Sequence, residues 1–174
     1  MTPNGVFGSK MMWGYLRELV PQLSALLAIE DSSLPAVLAA AFPQVRYIWL
    51  TRRDKVRQGI SFYRALETKV WRSTDVPAGL ADNPAFDFLA IDRLVQLSTW
   101  EDESWREYFQ EHAISPLIVS YENLAQAPED VVRQILAYLD LPAARLPDLP
   151  WRHQRQADAL TDEWVERYHT LKGC

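Results

Sequence analysis

The sequence predicts a three-layer α/β/α domain with a mainly parallel sheet, in which helices cover both faces of the strands. Strand-like and helix-like stretches alternate along the chain. Two short runs, Tyr47-Ile48-Trp49-Leu50 and Pro116-Leu117-Ile118-Val119-Ser120, are nearly continuous in apolar, β-branched and aromatic residues, the pattern of strands buried on both faces. Each run hands over to a polar corner, and the corner of an open α/β sheet, outside the carboxyl ends of its strands, is where ligands bind. At 174 residues, 48% of them apolar and seven of them Trp, the chain suits one packed domain spanning 1–174.

Taken in order, Val6-Phe7-Gly8 reads as a strand, and Lys10 stands where that strand gives way to a helix. The helix, residues 11–27, carries Met12, Tyr15, Leu16, Leu19, Leu23, Leu26 and Leu27 as a core stripe and is expected to break or kink at Pro21. A short helix over 34–42 ends at Pro43. After the strand at 47–50 come Thr51-Arg52-Arg53 and then Asp54, whose carboxylate can cap a helix by accepting the free N–H groups of its first turn. From Val56 the period is helical, with Val56, Ile60, Tyr63 and Leu66 on the inner side and Arg57, Gln58, Ser61 and Arg64 on the other.

Residues 70–85 mix Thr, Asp, Pro, Gly and Asn as an irregular loop, a length at which loops are often functional lids. A long helix is predicted over 86–111, with a broad apolar face that includes Phe88, Leu89, Ile91, Leu94 and Leu97. Its segment Trp100-Glu101-Asp102-Glu103 is expected to be a solvated acidic face, because adjacent acids on a helix point in different directions; a paired-carboxylate acid/base site is the alternative. The second strand, 116–120, is followed by Tyr121-Glu122-Asn123-Leu124. Pro128 opens a helix that runs to about 139, and Pro- and Leu-rich residues 143–150 connect it to the basic stretch 151–156. A last helix over 158–171 should bury Trp164, Val165, Tyr168 and Leu171.

Arg53, Arg57, Gln58, Ser61 and Arg64 make a basic, hydroxyl-bearing ledge where strand meets helix. Guanidinium groups match phosphate oxygens with paired, charge-assisted hydrogen bonds, so the ledge suits a phosphate ester; the alternative is an ordinary solvated helix face. The formal net charge of −5 argues against a nucleic-acid surface, and a local basic ledge on an acidic chain fits a small anion. No run of about 18 apolar residues offers a membrane span, and the first residues have no leader pattern, so a cytoplasmic protein is expected. The one cysteine, Cys174, and the scattered His112, His153 and His169 have no ligand spacing, and no metal is expected.

Arg53, Asp54, Ser61 and Tyr63 resemble the R-[ND]-x6-S-x-[YW] pattern of sulfotransferases that use 3′-phosphoadenosine 5′-phosphosulfate, the spacing being 61 − 53 = 8. The wider wording around it, with Trp49-Leu50, Arg52 to Gln58 and Ile60-Ser61, is similar to the bacterial trehalose 2-sulfotransferase family. So are Tyr121-Glu122-Asn123-Leu124 and the phrase from Leu124 through Pro128-Glu129 to Leu141-Pro142. The resemblance implies a P-loop NTPase-like sulfotransferase fold, with Arg53 and Ser61 as ligands of the 3′-phosphate and Tyr121 near the adenine. Arg155 is implied, loosely, as an arginine folding over the same phosphate, where a salt-bridged surface arginine is the alternative. Lys10 corresponds to a lysine that neutralises the transferring sulfonate, or else is a strand-end lysine in solvent.

The family's 5′-phosphosulfate loop is rich in Gly, Ser and Thr, and the six glycines of this chain nowhere cluster in that way. The chain is therefore expected to cover the later part of the family domain, with the general base outside it. The implied function is transfer of a sulfonate from 3′-phosphoadenosine 5′-phosphosulfate to a hydroxyl of a carbohydrate or small metabolite, this chain alone being weak or inactive. The alternative is a non-catalytic nucleotide-binding remnant or interaction subunit. A homodimer is implied by the resemblance alone.

Overall fold

The apolar run after residue 46 forms a strand one residue later than expected, as β1 (Ile48–Thr51), and pairs in parallel with β2 (Leu117–Ser120). The register runs from Ile48 opposite Leu117 to Thr51 opposite Ser120, so the two strands end level with one another. This computed structural model describes residues 6–71, 84–142 and 159–173. The chain divides into two compact units, one of residues 1–47 and 103–115 and the other of 48–102 and 116–174.

In the first unit a single 3-10 turn (Trp13–Tyr15) leads into α1 (Leu16–Leu27), and α2 (Leu34–Ala41) packs along it. Val6-Phe7-Gly8, expected as a strand, is irregular; Phe7 instead stacks on Phe42 with ring centroids 6.2 Å apart. Helix α1 runs through Pro21 without ending there, although proline has no N–H for the carbonyl four residues earlier. Its apolar stripe is only partly covered. Leu16 is buried, whereas Tyr15, Leu26 and Leu27 are exposed. An aromatic cluster of Trp13, Tyr47, Trp105, Tyr108 and Phe109 fills this unit in largely edge-to-face contacts. Burial, and then the Tyr47 hydroxyl 3.2 Å away, push the Tyr108 phenol well above its ordinary range, so it stays neutral.

The second unit holds the strands, α3 (Lys55–Thr68), α5 (Tyr121–Gln126), α6 (Pro128–Tyr138), α7 (Ala159–Lys172) and most of α4 (Phe88–Glu111), whose last turns belong to the first unit. Its core is built where α3, α4 and α7 meet. Ile60, Tyr63, Ile91, Trp164 and Tyr168 are buried there, with Val56, Phe88, Leu94 and Val95 packed against them. Gly59 makes the approach of α3 to α4 possible, because a Cβ at this position would lie 2.6 Å from Val95 Cγ2 and 3.3 Å from the Ile91 carbonyl oxygen. Leu89, Leu97 and Leu171, expected inside, are exposed.

The strands are not buried on both faces as the sequence implied. Val119 is buried, but Ile48, Leu50 and Ile118 are exposed. A parallel sheet hides its apolar side chains only where helices lie on both faces, and the described elements leave these three uncovered.

Asp92 of α4 ties down α7, accepting from Tyr168 Oη at 2.5 Å, from Lys172 Nζ at 2.7 Å and from Gln96 Nε2 at 2.6 Å. The hydrogen bonds from Lys172 and Tyr168 outweigh burial and hold its carboxyl below the usual range. A carboxyl depressed in the folded state contributes stability above its unfolded pKa, about 3.9, and loses it as the pH falls through the folded value. Asp92→Asn should therefore lower the urea midpoint at pH 6, with the difference from wild type shrinking below about pH 4. A difference that stays constant down to pH 3 would show that the charge of Asp92 does not hold α7.

Candidate functional site

Because Thr51 and Ser120 are paired, Arg52 and Tyr121 leave the strand ends side by side. The Arg52 guanidinium lies over the Tyr121 ring, 4.3 Å from its centroid, an attraction between the cation and the ring face. Its Nε is buried and has no hydrogen-bond partner among the described residues. The chain after β2 turns at once into α5, because the Ser120 hydroxyl caps that helix by accepting from the Asn123 N–H at 3.1 Å. This turn aims Glu122 and Asn123 back across the end of β1.

Glu122 Oε1 accepts from the backbone N–H of Arg53 at 3.1 Å and from that of Asp54 at 3.4 Å, and its Oε2 lies 3.5 Å from Arg53 Nε. Arg53 Nη2 donates to Asn123 Oδ1 at 3.2 Å. Burial alone would raise the Glu122 carboxyl. Hydrogen bonds from its own N–H, from the N–H groups of Asp54 and Arg53 and from the Arg53 side chain outweigh burial and hold it below the ordinary range. The Arg53 side chain is nonetheless 69% exposed, so its outer N–H groups face solvent.

On the other side of the corner a second carboxylate is at work. Asp102 Oδ2, from α4, accepts from the Thr51 hydroxyl at the end of β1 and from the Lys55 ammonium at the start of α3, and Lys55 also donates to Gln58 Oε1 at 3.2 Å. Asp54 caps α3 as the sequence predicts, its Oδ1 accepting from the Arg57 N–H at 2.9 Å. Residues 51–55 are thus fixed from three directions: by the cap, by Glu122 and by Asp102.

The open basic ledge read from the sequence is narrower in the structure. Arg57 is bound by Asp54 at 3.2 Å and by Asp162 of α7 at 2.6 Å, and Arg64 Nη1 donates to the Thr161 hydroxyl at 2.8 Å. These two guanidiniums fasten α7 to α3. Ser61 lies between them on the same helix face, half-buried. Helical spacing identified the face, but the acid and hydroxyl it meets come from about a hundred residues away.

Of the residues singled out in the sequence, the structure gathers Arg53 and the Tyr121 segment at one corner and puts Ser61 on the helix that starts there. Lys10 belongs to the first unit and is exposed, and Arg155 lies outside the described residues. Two participants escaped the sequence reading. Asp102 was expected in solvent, yet its side chain is only 19% exposed; Glu122 was named only as part of a phrase. Among the described residues no group of three or more His, Cys, Asp or Glu could hold a metal ion, and no helix is long and apolar enough to cross a membrane. The arrangement offers an anion two neighbouring guanidiniums, one open to solvent and one laid on an aromatic ring, at the start of a capped helix.

The family model described as Stf0 sulphotransferase matches residues 1–170. A trehalose 2-sulfotransferase of Mycolicibacterium smegmatis is 35% identical over 170 residues, and one of Mycobacterium tuberculosis is 31% identical over 171. Both alignments cover 96% of this chain, which spans 62% of the length of each relative.

Asp102→Ala would leave Lys55 and Thr51 without their shared acceptor, a change that costs about 1–3 kcal/mol where the groups are shielded from water. The expected result is a lower denaturation midpoint together with faster hydrogen exchange at the amides of residues 52–57. Unchanged exchange there would mean that Asp102 does not hold the corner.

Proposed function

This chain belongs to the Stf0 sulphotransferase family, and from that premise we propose that the corner between β1 and α3 binds the 3′-phosphate of 3′-phosphoadenosine 5′-phosphosulfate in a sulfonate transfer to a carbohydrate or small-metabolite hydroxyl. The observation that carries the reading is the posture of Arg53. Its guanidinium is held on one side by Glu122 and Asn123 and is open on the other, at the carboxyl ends of two parallel strands. A phosphate matches such an open guanidinium, whereas a neutral ligand would leave its charge uncompensated. Tyr121, whose ring carries Arg52 on one face, stands beside the cationic corner, and its place near an adenine rests on the family resemblance.

When bound, the donor supplies an activated sulfonate: the acceptor oxygen forms a new S–O bond, the S–O bond to the 5′-phosphate breaks, and the hydroxyl proton goes to a base. The part of this chain is to bind and orient. Arg53 and the Ser61 hydroxyl hold the 3′-phosphate and Tyr121 lies near the adenine; roles for Arg155 at that phosphate and for Lys10 at the sulfonate are what the family resemblance alone implies. A carbohydrate acceptor is supported by the names of the two relatives, both trehalose 2-sulfotransferases. A cytoplasmic location and a homodimer belong to the same proposal and rest on the family resemblance and the sequence.

Calorimetric titration with adenosine 3′,5′-bisphosphate tests the reading. The wild-type chain should bind, and Arg53→Ala and Ser61→Ala, each shown by circular dichroism to be folded, should each weaken binding by more than about 1.4 kcal/mol, or tenfold. Binding untouched by Arg53→Ala would place the nucleotide elsewhere and overturn the reading.

A further inference from the structure

An arginine on a turn has many rotamers, and an anion site built on one gains little unless the guanidinium is already aimed. Arg53 is aimed by Glu122. The carboxylate takes the backbone N–H groups of Arg53 and Asp54, which fixes the turn, and faces Nε of the same arginine, which fixes the head group. Asn123, the next residue of α5, receives Nη2. These partners lie along the Nε–Nη2 side of the planar fork. The Nη1 end has no partner among the described residues, and the side chain is mostly exposed. The guanidinium has five N–H donors, and this arrangement leaves its outer ones for a ligand.

We infer that Glu122 is the positioning residue of the phosphate site, acting through Arg53 rather than by touching the ligand. The inference rests on the proposed reading of Arg53 as a 3′-phosphate ligand. A carboxylate close to a phosphate repels it, so the charge alone would make Glu122 a hindrance. The geometry decides otherwise, because both oxygens of Glu122 are already engaged by the turn and by the inner side of the fork, away from its open end. Its carboxyl is held ionised by those same hydrogen bonds, which keeps the brace in place at neutral pH.

The test compares two probes, adenosine 3′,5′-bisphosphate and adenosine 5′-monophosphate, by calorimetry on the full chain. The proteins are wild type, Arg53→Ala, Glu122→Ala, Glu122→Gln and the Arg53→Ala/Glu122→Ala double variant. The expected result is that Glu122→Ala loses about tenfold in affinity for the bisphosphate and less than about twofold for the monophosphate. Glu122→Gln, which keeps an acceptor for the two backbone N–H groups and guards against a fold defect in the alanine variant, should lose less. In the Arg53→Ala background, Glu122→Ala should add less than about twofold, since a residue acting through Arg53 has nothing left to position. Four results would overturn the inference while sparing the arginine's role: unchanged or tighter bisphosphate binding by Glu122→Ala, equal losses for the two probes, a loss by Glu122→Gln as large as that by Glu122→Ala, or full additivity in the double variant. If Arg53→Ala is itself without effect, or the wild-type chain does not prefer the bisphosphate, both readings fail.

Discussion

The corner between β1 and α3 is a three-residue turn, Arg52 to Asp54, that carries its own positive charge, and two carboxylates from distant parts of the chain close on it and its flanking residues. Glu122 reaches it from the start of α5 and takes two backbone N–H groups; Asp102 reaches it from α4 and takes Thr51 and Lys55. Without them, Arg52, Arg53 and Lys55 would sit on a loop whose cations repel one another. With them, the turn is neutralised on its inner side, and Arg53 keeps its outer N–H groups. The level ends of the two strands make this possible, since the register that pairs Thr51 with Ser120 also puts Glu122 opposite the turn.

The same economy shapes the rest of the second unit. Arg57 and Arg64 look in sequence like further ligand-binding charges, but they are spent on fastening α7 to α3 through Asp162 and Thr161. Asp92 fastens the other end of α7 through Tyr168 and Lys172. Among the described residues Arg57, Arg64 and Lys172 are thus engaged within the fold, whereas Arg53 at the corner keeps most of its side chain exposed. An anion there would be recognised by a guanidinium already oriented, which is how a small site gains affinity without a large interface.

What the sequence made legible was local. The cap at Asp54, the helix after it, the helix opened by Pro128 and the two strand segments follow from residues close together in sequence. The resemblance added Arg53, Ser61 and Tyr121. What stayed hidden depended on partners far along the chain: Asp102 lies 47 residues from Lys55 and Glu122 lies 69 from Arg53, and no periodicity links such pairs. Apolar patterning also overstated burial. It marks what a side chain prefers, and Leu50, Ile118 and Leu26 are exposed because no described element covers them.

The account depends on the anion being received by this corner, and amide chemical-shift mapping of the labelled chain during titration with adenosine 3′,5′-bisphosphate asks that question directly. The predicted result is a contiguous set of shifts at residues 52–57, 61 and 121–123, saturating at a single affinity. Saturable shifts centred elsewhere, with residues 52–57 and 121–123 unmoved, would contradict it.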